Sequence, residues 1–140
     1  MPLNFFLFIL LTLFSSSLFA MTTLDGRPAH IDNYKDNKHW LIVQAWTSGC
    51  SICNQTAAAL VKSAYQFPNA HLIGVSLDDN ATIAKQFIQR HHINFPTLLS
   101  NNNEFNDYLL DVAQEGLIGT PTFLIFNPQG KLVGMQAGYT

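Results

Sequence analysis

The only two cysteines of the sequence, Cys50 and Cys53, lie two residues apart, directly after an apolar run and at the start of a segment with helical spacing. Two thiols at this spacing can close and reopen a disulfide with little backbone movement. At the start of a helix, unpaired N–H groups and the positive end of the helix dipole favour an anion. We therefore expect the Cys50 thiolate to form below the pKa of free cysteine, with Cys50 as the attacking thiol and Cys53 as the resolving thiol.

Three other roles for the pair can be compared with redox chemistry. A structural disulfide closing so short a loop would restrict the unfolded chain by only about 2 kcal/mol. One Cys-x-x-Cys pair supplies half of a tetrahedral zinc site, and the adjacent His91 and His92 do not provide the usual histidine spacing. Covalent haem attachment would require a histidine where Asn54 follows the second cysteine. Binding of Cu(I) by the two thiols stays open as the alternative to disulfide exchange.

The residues around the cysteines predict a strand, a helix and a second strand. Residues 40–46 are apolar on both faces apart from one glutamine, which is typical of a central strand covered on both sides. Apolar residues recur at helical spacing from Ala57 to Tyr65, and Pro68 ends this helix. Residues 71–77 form the next apolar run. Two strands that flank a helix in this way predict a right-handed parallel crossover.

The rest of the chain predicts shorter elements around this unit. Residues 21–38 read as an N-terminal extension, with a hairpin that covers one edge of a sheet. Asp78 and Asp79 are interpreted as caps of an amphipathic helix over residues 81–92. Further along, the sequence predicts a short strand at 94–99, a helix at 105–112, and a hairpin formed by residues 123–126 and 131–135.

Four of the five histidines receive a structural interpretation. His30 and His39, in the N-terminal extension, read as solvent-facing or locally bonded side chains. His91 and His92 lie near the end of a predicted helix, where a positive charge would be favourable. We assign no chemistry to these four residues from the sequence.

The N-terminal segment reads as a targeting sequence. Residues 5–14 are apolar apart from one threonine, and a short polar and small-residue stretch leads to Ala20. This pattern predicts a secretory signal peptide over residues 1–20, cleaved after Ala20, and a single domain over residues 21–140. An uncleaved membrane anchor and a cytosolic protein that starts at Met21 are the two alternatives.

The charge of the chain excludes one class of partner. Seven basic and nine acidic residues give a net charge of −2, and the basic residues form no stripe. Nucleic-acid binding is therefore not expected. Two cysteines also do not form the framework of a disulfide-rich secreted domain.

A turn formed by residues 119–122, Gly-Thr-Pro-Thr, follows the cysteines after about 70 residues and leads into the C-terminal hairpin. Together with the Cys-x-x-Cys pair, this turn resembles the thioredoxin superfamily, and more closely the exported TlpA/ResA-like thiol:disulfide oxidoreductases, a group that includes the reductases of cytochrome c maturation. Residues 74–78, 94–98 and 128–131 support the resemblance. It implies an α/β, thioredoxin-like fold with a central mixed β-sheet flanked by helices, and the segment from Phe95 to Val112 matches the TlpA-type insertion.

The resemblance also implies roles and partners. Cys50 and Cys53 would be catalytic, and Pro121 would be a cis-proline that faces them and lets the Thr120 backbone pair with a substrate. Trp46 and Gly49 would complete the substrate-binding residues beside the active-site turn. No cofactor is expected. The implied partners are exported thiol or disulfide proteins and a membrane or periplasmic thiol donor, and the protein would act in the periplasm, more as a reductant than as an oxidant.

The chain departs from the family pattern in four places. Gly49 replaces a tryptophan. Gln44 stands where thioredoxin has a buried acid and this group often has asparagine, and Thr56 stands where many members carry glutamate, so proton transfer to Cys53 has no assigned group. The C-terminal helix of the fold is expected to be missing or very short. We therefore expect an exposed apolar patch near Val133 and Met135, covered by a partner, a second copy in self-association, or the N-terminal extension.

Overall fold

The computed structural model describes residues 21–137, so the predicted signal peptide and the last three residues lie outside the described part of the chain. The described residues form a seven-stranded mixed sheet with the strand order β2-β1-β5-β4-β3-β6-β7. The strands are β1 (Met21–Thr23), β2 (Pro28–Ala29), β3 (Trp40–Trp46), β4 (Ala70–Ser76), β5 (Thr97–Leu99), β6 (Thr122–Phe126) and β7 (Leu132–Ala137). The helices are α1 (Ser51–Gln66), α2 (Ala81–Arg90) and α3 (Asn102–Ala113), with a short 3-10 helix at Ile31–Tyr34.

The centre of the sheet is parallel and confirms the predicted crossover. β3 pairs with β4, and β4 pairs with β5, both in parallel, while β6 and β7 add antiparallel strands on the other side of β3. Trp46, the last residue of β3, lies opposite Ser76, the last residue of β4. The loops that follow these two strands therefore begin side by side at one edge of the sheet.

Helices cover both faces of the sheet, as expected for a thioredoxin-like fold. On one face, α3 contributes buried side chains to the main core, which includes Phe105 and Leu109 together with Val43 of β3. On the other face lie α1 and α2, whose buried residues join the last residue of β3 in a smaller cluster. We call this the lower cluster; its buried members are Trp46, Cys53, Ala84 and Phe87.

The N-terminal extension covers a sheet edge, as predicted. β1 pairs antiparallel with β2 to form a hairpin, and it also pairs antiparallel with β5. Met21 and Ile31 from this extension are buried in the main core. The hairpin is therefore part of the folded domain. The strand and helix predicted between Phe95 and Val112 are also present, as β5 and α3.

The prediction of buried helix residues from apolar spacing is wrong at two positions. Tyr65, which the pattern assigned to the buried face of α1, is 75% exposed, and Ile83 of α2 is also exposed. Cys53 and Ala57 are the buried residues of α1. Tyr65 lies in the last turn of the helix, beyond the residues that pack on the sheet.

The predicted apolar patch is correct at one residue and wrong at the other. Val133 is 51% exposed, but Met135 packs against the main core. Met135 lies opposite the buried Leu124 in the β6–β7 pair, and side chains opposite each other share a face of the sheet. A separate apolar surface is a groove of about 320 Å³ between β3, β6 and the end of α1, lined chiefly by Trp40, Ile42, Phe67 and Ile125.

The described part of the chain contains no candidate for a membrane span, since none of its helices combines enough length with enough apolar character. Self-association stays a prediction.

Candidate active site

Cys50 is the N-terminal cap of α1, and Cys53 lies in the first turn of that helix. The two residues form a disulfide, with their Cα atoms 5.2 Å apart. The backbone N–H of Cys53 donates to Cys50 Sγ across 3.1 Å. The sulfur of Cys50 therefore lies at the positive end of the helix dipole and next to an N–H donor, which is the environment that stabilises a thiolate.

The two sulfurs differ in accessibility. Cys53 is 1% exposed and belongs to the lower cluster, while Cys50 is partly exposed at the surface. Cys50 Sγ lies 3.5 Å from the carbonyl oxygen of Thr120. The peptide bond between Thr120 and Pro121 is cis, and Pro121 is buried. The partly exposed sulfur thus faces the backbone of the turn that the sequence singled out.

Two open features adjoin the disulfide. Gly49 is exposed, and a Cβ atom placed on it would meet no atom within 4 Å. A groove of about 440 Å³ runs beside the Thr120 turn. The groove is lined by residues from the loop after β3, from α3 and from the segment before Pro121, namely Thr47, Asn102, Asn103, Asn106, Leu117, Ile118, Gly119 and Thr120.

Asp78 binds the loop that leads to Cys50. Its carboxylate accepts hydrogen bonds from the Ser48 backbone N–H at 3.0 and 3.1 Å and from the Ser48 hydroxyl at 2.8 Å. The hydroxyl of Ser76 donates to the same carboxylate at 3.0 Å. Because Ser48 follows β3 and Asp78 follows β4, these bonds join the two loops that meet at the edge of the sheet.

The prediction that Asp78 and Asp79 cap α2 is wrong. Asn80 is the cap, since its side-chain oxygen accepts from the backbone N–H of Ile83 at 3.0 Å. Asp79 is exposed and has a positive φ of 54°, and Asp78 is turned toward Ser48. Adjacent parallel strands whose carboxyl ends meet could have indicated the contact between Ser48 and Asp78, but the helix-cap pattern takes no account of neighbouring strands.

Asn54 connects the active-site turn to α2. Its side-chain N–H groups donate to the carbonyl oxygens of Ser48 and Cys50, each at 2.9 Å. Its side-chain oxygen lies 2.8 Å from His91 Nε2. An amide oxygen can only accept, so Nε2 of His91 carries the proton. In the sequence, Asn54 bears only on haem attachment, and no local pattern indicates its contact with His91, 37 residues away.

His91 does not place a positive charge at the C-terminal end of α2 at neutral pH. Burial lowers its pKa below the ordinary value of 6.5, and the nearby charges of Arg90 and His92 lower it further. The neutral ring keeps its hydrogen bond to Asn54 through Nε2 and packs against Phe87, with the ring centroids 4.5 Å apart. His91 is therefore a structural residue, as predicted, and it supports the active-site turn.

Trp46 lies beneath the turn and does not reach the surface. It is 1% exposed and stacks on Phe87 with a centroid distance of 4.1 Å and an interplanar angle of 20°. The predicted contact between Trp46 and a substrate does not match this position, because the ring is covered on all sides. A glycine in β4, Gly74, makes room for it, since a Cβ there would lie 2.9 Å from Trp46 Nε1.

Gln44 and Thr56, which by the sequence resemblance stand at positions of acids in thioredoxin and in many TlpA/ResA-like proteins respectively, are groups that do not titrate. Gln44 is buried, and by strand alternation it lies on the same sheet face as Trp46. The hydroxyl of Thr56 donates to the Ile52 carbonyl oxygen at 2.8 Å. The first turn of α1 contains no acidic residue. The environment of Cys53 thus offers no carboxyl group from these positions.

A protein-family model described as the AhpC/TSA family matches residues 16–135. No curated protein sequence matches the chain significantly. Solved structures with the same fold include a secreted Mycobacterium tuberculosis disulfide oxidoreductase homologous to E. coli DsbE, with 21% identity, a TM-score of 0.68, and coverage of 88% of this chain and 85% of that chain. The thioredoxin domain of a Bacteroides vulgatus thiol-disulfide oxidoreductase shows 23% identity, a TM-score of 0.67 and 86% coverage of both chains.

StoA from Bacillus subtilis is a third structure of this kind, with 21% identity, a TM-score of 0.61, and coverage of 86% of this chain and 87% of StoA. At these identities the likeness establishes the fold. It confirms the thioredoxin-like architecture predicted from the cysteine pair and the Gly-Thr-Pro-Thr turn.

Proposed function

The chain belongs to the AhpC/TSA family, and from this premise we propose that it is a thiol-disulfide oxidoreductase that uses Cys50 and Cys53. One observation carries the proposal: a partly exposed cysteine at a helix N-terminus is bonded to a buried cysteine and faces the Thr120 backbone. The difference in accessibility supports the roles expected from the sequence, because only Cys50 can meet the sulfur of another protein.

The proposed reaction starts from the reduced pair. The Cys50 thiolate attacks one sulfur of a substrate disulfide, so a Cys50–substrate disulfide forms and the other substrate sulfur leaves as a thiolate. Cys53, after losing its proton, then attacks Cys50 Sγ, which forms the Cys50–Cys53 disulfide and releases the second substrate thiol. The substrate gains two electrons and the protein loses two. A dithiol donor in the compartment to which the protein is exported must return these two electrons before another cycle.

The substrate would bind as an extended segment along the Thr120 turn. A backbone carbonyl 3.5 Å from the reactive sulfur is placed to pair with a peptide that carries the target disulfide. Gly49 contributes by leaving the space next to it open. The groove beside Thr120, with its three asparagines, would accept polar side chains of that segment.

The finer features of the proposal come from the sequence resemblance. We propose that the partners are exported thiol or disulfide proteins, including those of cytochrome c maturation, and that the protein works in the periplasm as a reductant supplied by a membrane or periplasmic thiol donor. The predicted signal peptide over residues 1–20 supports export, and it lies outside the described residues.

The test is a matched pair of cysteine variants. Cys53→Ala should accumulate a mixed disulfide between Cys50 and a peptide that contains a disulfide, and Cys50→Ala should accumulate none. The reduced wild-type protein should reduce insulin, and both variants should lose this activity. Turnover of insulin by Cys50→Ala, or stoichiometric Cu(I) binding by the reduced wild type without any insulin reduction, would overturn the proposal and favour a Cu(I)-binding protein.

A further inference from the structure

Three side chains with metal-ligating atoms meet at the opposite end of the central strands from the cysteines. His39 directly precedes β3, and His71 is the second residue of β4. Asp36 belongs to the loop between the 3-10 helix and β3. Because β3 contains seven residues and a strand rises about 3.3 Å per residue, this group lies roughly 20 Å from the active-site edge of the sheet. We call Asp36, His39 and His71 the Asp-His-His cluster.

The ligand atoms of the cluster face one another. Asp36 Oδ2 lies 2.6 Å from Nδ1 of His39 and 3.8 Å from Nδ1 of His71. The two imidazole rings stack with a centroid distance of 4.2 Å and an interplanar angle of 19°. One ligand atom from each of the three residues lies within 4.8 Å of the other two. The parallel register of β3 and β4 brings the histidines together, since Leu41, two residues after His39, lies opposite His71.

Asp36 is fixed in place by its own loop. Its other oxygen, Oδ1, accepts from the backbone N–H groups of His39 at 2.8 Å and Lys38 at 2.9 Å. The loop therefore presents Oδ2 toward both imidazoles.

We propose that the Asp-His-His cluster binds a divalent transition-metal ion, with Zn²⁺ as the ion that fits it best. Two imidazole nitrogens and one carboxylate oxygen are a ligand set that suits Zn²⁺. With bonds of about 2.0 to 2.1 Å in a tetrahedron, neighbouring ligand atoms lie roughly 3.3 Å apart. The observed separations of 2.6 and 3.8 Å fall on either side of this value, and the two stacked rings would have to turn out of their nearly parallel arrangement for both Nδ1 atoms to point at one ion. The exposed side of the cluster would admit water as the fourth ligand.

A purely hydrogen-bonded arrangement accounts for less of the geometry. Asp36 and His39 are within hydrogen-bond distance, but 3.8 Å between Asp36 Oδ2 and His71 Nδ1 is too long for a hydrogen bond. Nevertheless, Nδ1 of His71 approaches the same carboxylate oxygen as Nδ1 of His39. Stacking on His39 holds the His71 ring in place, and a single ion bound by all three atoms would use the shared direction of the two Nδ1 atoms.

The test is a calorimetric titration of Zn²⁺ into the protein with the Cys50–Cys53 disulfide closed, so that the thiols do not compete for the metal. One ion per chain is expected, and His39→Gln and His71→Gln should each weaken binding at least about tenfold. His92→Asn is the matched control, because His92 is exposed, lies outside the cluster and has a positive φ of 52° that asparagine accepts. It should bind as the wild type does.

A second measurement distinguishes variants that have lost a Zn²⁺ ligand from variants that bind Zn²⁺ poorly because they fold poorly. Zn²⁺ should raise the thermal midpoint of the wild type and of His92→Asn, and at the same Zn²⁺ concentration should raise that of His71→Gln less, because stabilisation by a ligand falls with its affinity for the folded state. Absence of saturable Zn²⁺ binding by the wild type, or equal binding by the wild type and His71→Gln, would overturn the proposal.

Discussion

Asp78 and Ser48 join the loops at the ends of β4 and β3, because the carboxylate of Asp78 accepts hydrogen bonds from both the backbone N–H and the hydroxyl of Ser48. Ser48 lies two residues before Cys50 and also receives, on its carbonyl oxygen, a hydrogen bond from Asn54. The position of the attacking sulfur therefore depends on a carboxylate that is distant in sequence.

We predict that Asp78→Asn lowers the free energy of unfolding by roughly 1.5 to 3 kcal/mol, the usual cost of losing hydrogen bonds to a charged group. An amide has one acceptor oxygen in place of two and carries no charge. Insulin reduction should slow as well, because the turn that holds Cys50 loses its support. Urea denaturation and the insulin assay are the measurements.

Asp79→Asn is the control for this substitution, since Asp79 is the exposed neighbour of Asp78 and asparagine accepts its positive φ. It should change stability and activity little. Equal effects of the two substitutions would show that the contact with Ser48 is not what matters.

Gly74→Ala should destabilise the protein by about 1 to 3 kcal/mol, as is typical when a methyl group is forced into a packed core. The new Cβ would lie 2.9 Å from Trp46 Nε1 and 3.2 Å from Thr97 Oγ1, so the indole would have to move. Urea denaturation measures the loss, and tryptophan fluorescence should report the displacement. Gly134→Ala is a matched strand substitution whose Cβ would meet only ordinary contacts, the nearest at 3.6 Å. A similar loss in both variants would contradict this explanation.

His91 should make the protein less stable in mild acid. Its pKa in the folded state is lowered by burial, so the unfolded chain binds a proton at a higher pH than the folded chain does. The free energy of unfolding should therefore fall as the pH drops through the unfolded value of 6.5, and this contribution should level off below the folded pKa.

The measurement is urea denaturation between pH 5 and pH 8, in wild type and in His91→Gln, which keeps a donor for Asn54 but does not titrate over this range. The variant should lose part of the pH dependence, while His92→Asn should retain it. Identical pH dependence in wild type and His91→Gln would show that His91 is not responsible.

The single thiol of reduced Cys53→Ala should react with iodoacetamide at a lower pH than free cysteine does. The backbone N–H at position 53, which donates to Cys50 Sγ at 3.1 Å, is retained in this variant, and so is the helix dipole. The rate of alkylation against pH gives the midpoint. The same protein in concentrated urea is the control, because unfolding removes the helix. A midpoint that urea does not shift would contradict a stabilised thiolate.

The elements around the redox pair could be predicted because their signals are local. The apolar runs fix β3 and β4 to within a residue, and the turn residues between positions 127 and 130 separate the strands of the C-terminal hairpin. The cysteine spacing and the Gly-Thr-Pro-Thr turn identify the two sides of the site. Each of these features is contained in a short stretch of chain.

The contacts that support the site could not be predicted in the same way. Local spacing favours Asp78 as a helix cap, whereas its actual partner, Ser48, is 30 residues away. His39 and His71 meet only because of the register of two parallel strands, and that register cannot be read from the sequence. Trp46 looks the same in sequence whether it lines a surface or lies beneath one.

The absence of a side chain at Gly49 has a consequence for how the protein would discriminate between partners. Without a side chain there, bulk next to the target sulfur is not an obstacle, and even a rigid, folded protein could bring a disulfide close to Cys50. In the proposed reaction, discrimination would then come from the groove, where the backbone of Thr120 and its neighbouring asparagines would meet the incoming chain. Such an entrance selects by the conformation of the approaching segment and tolerates wide variation in its size.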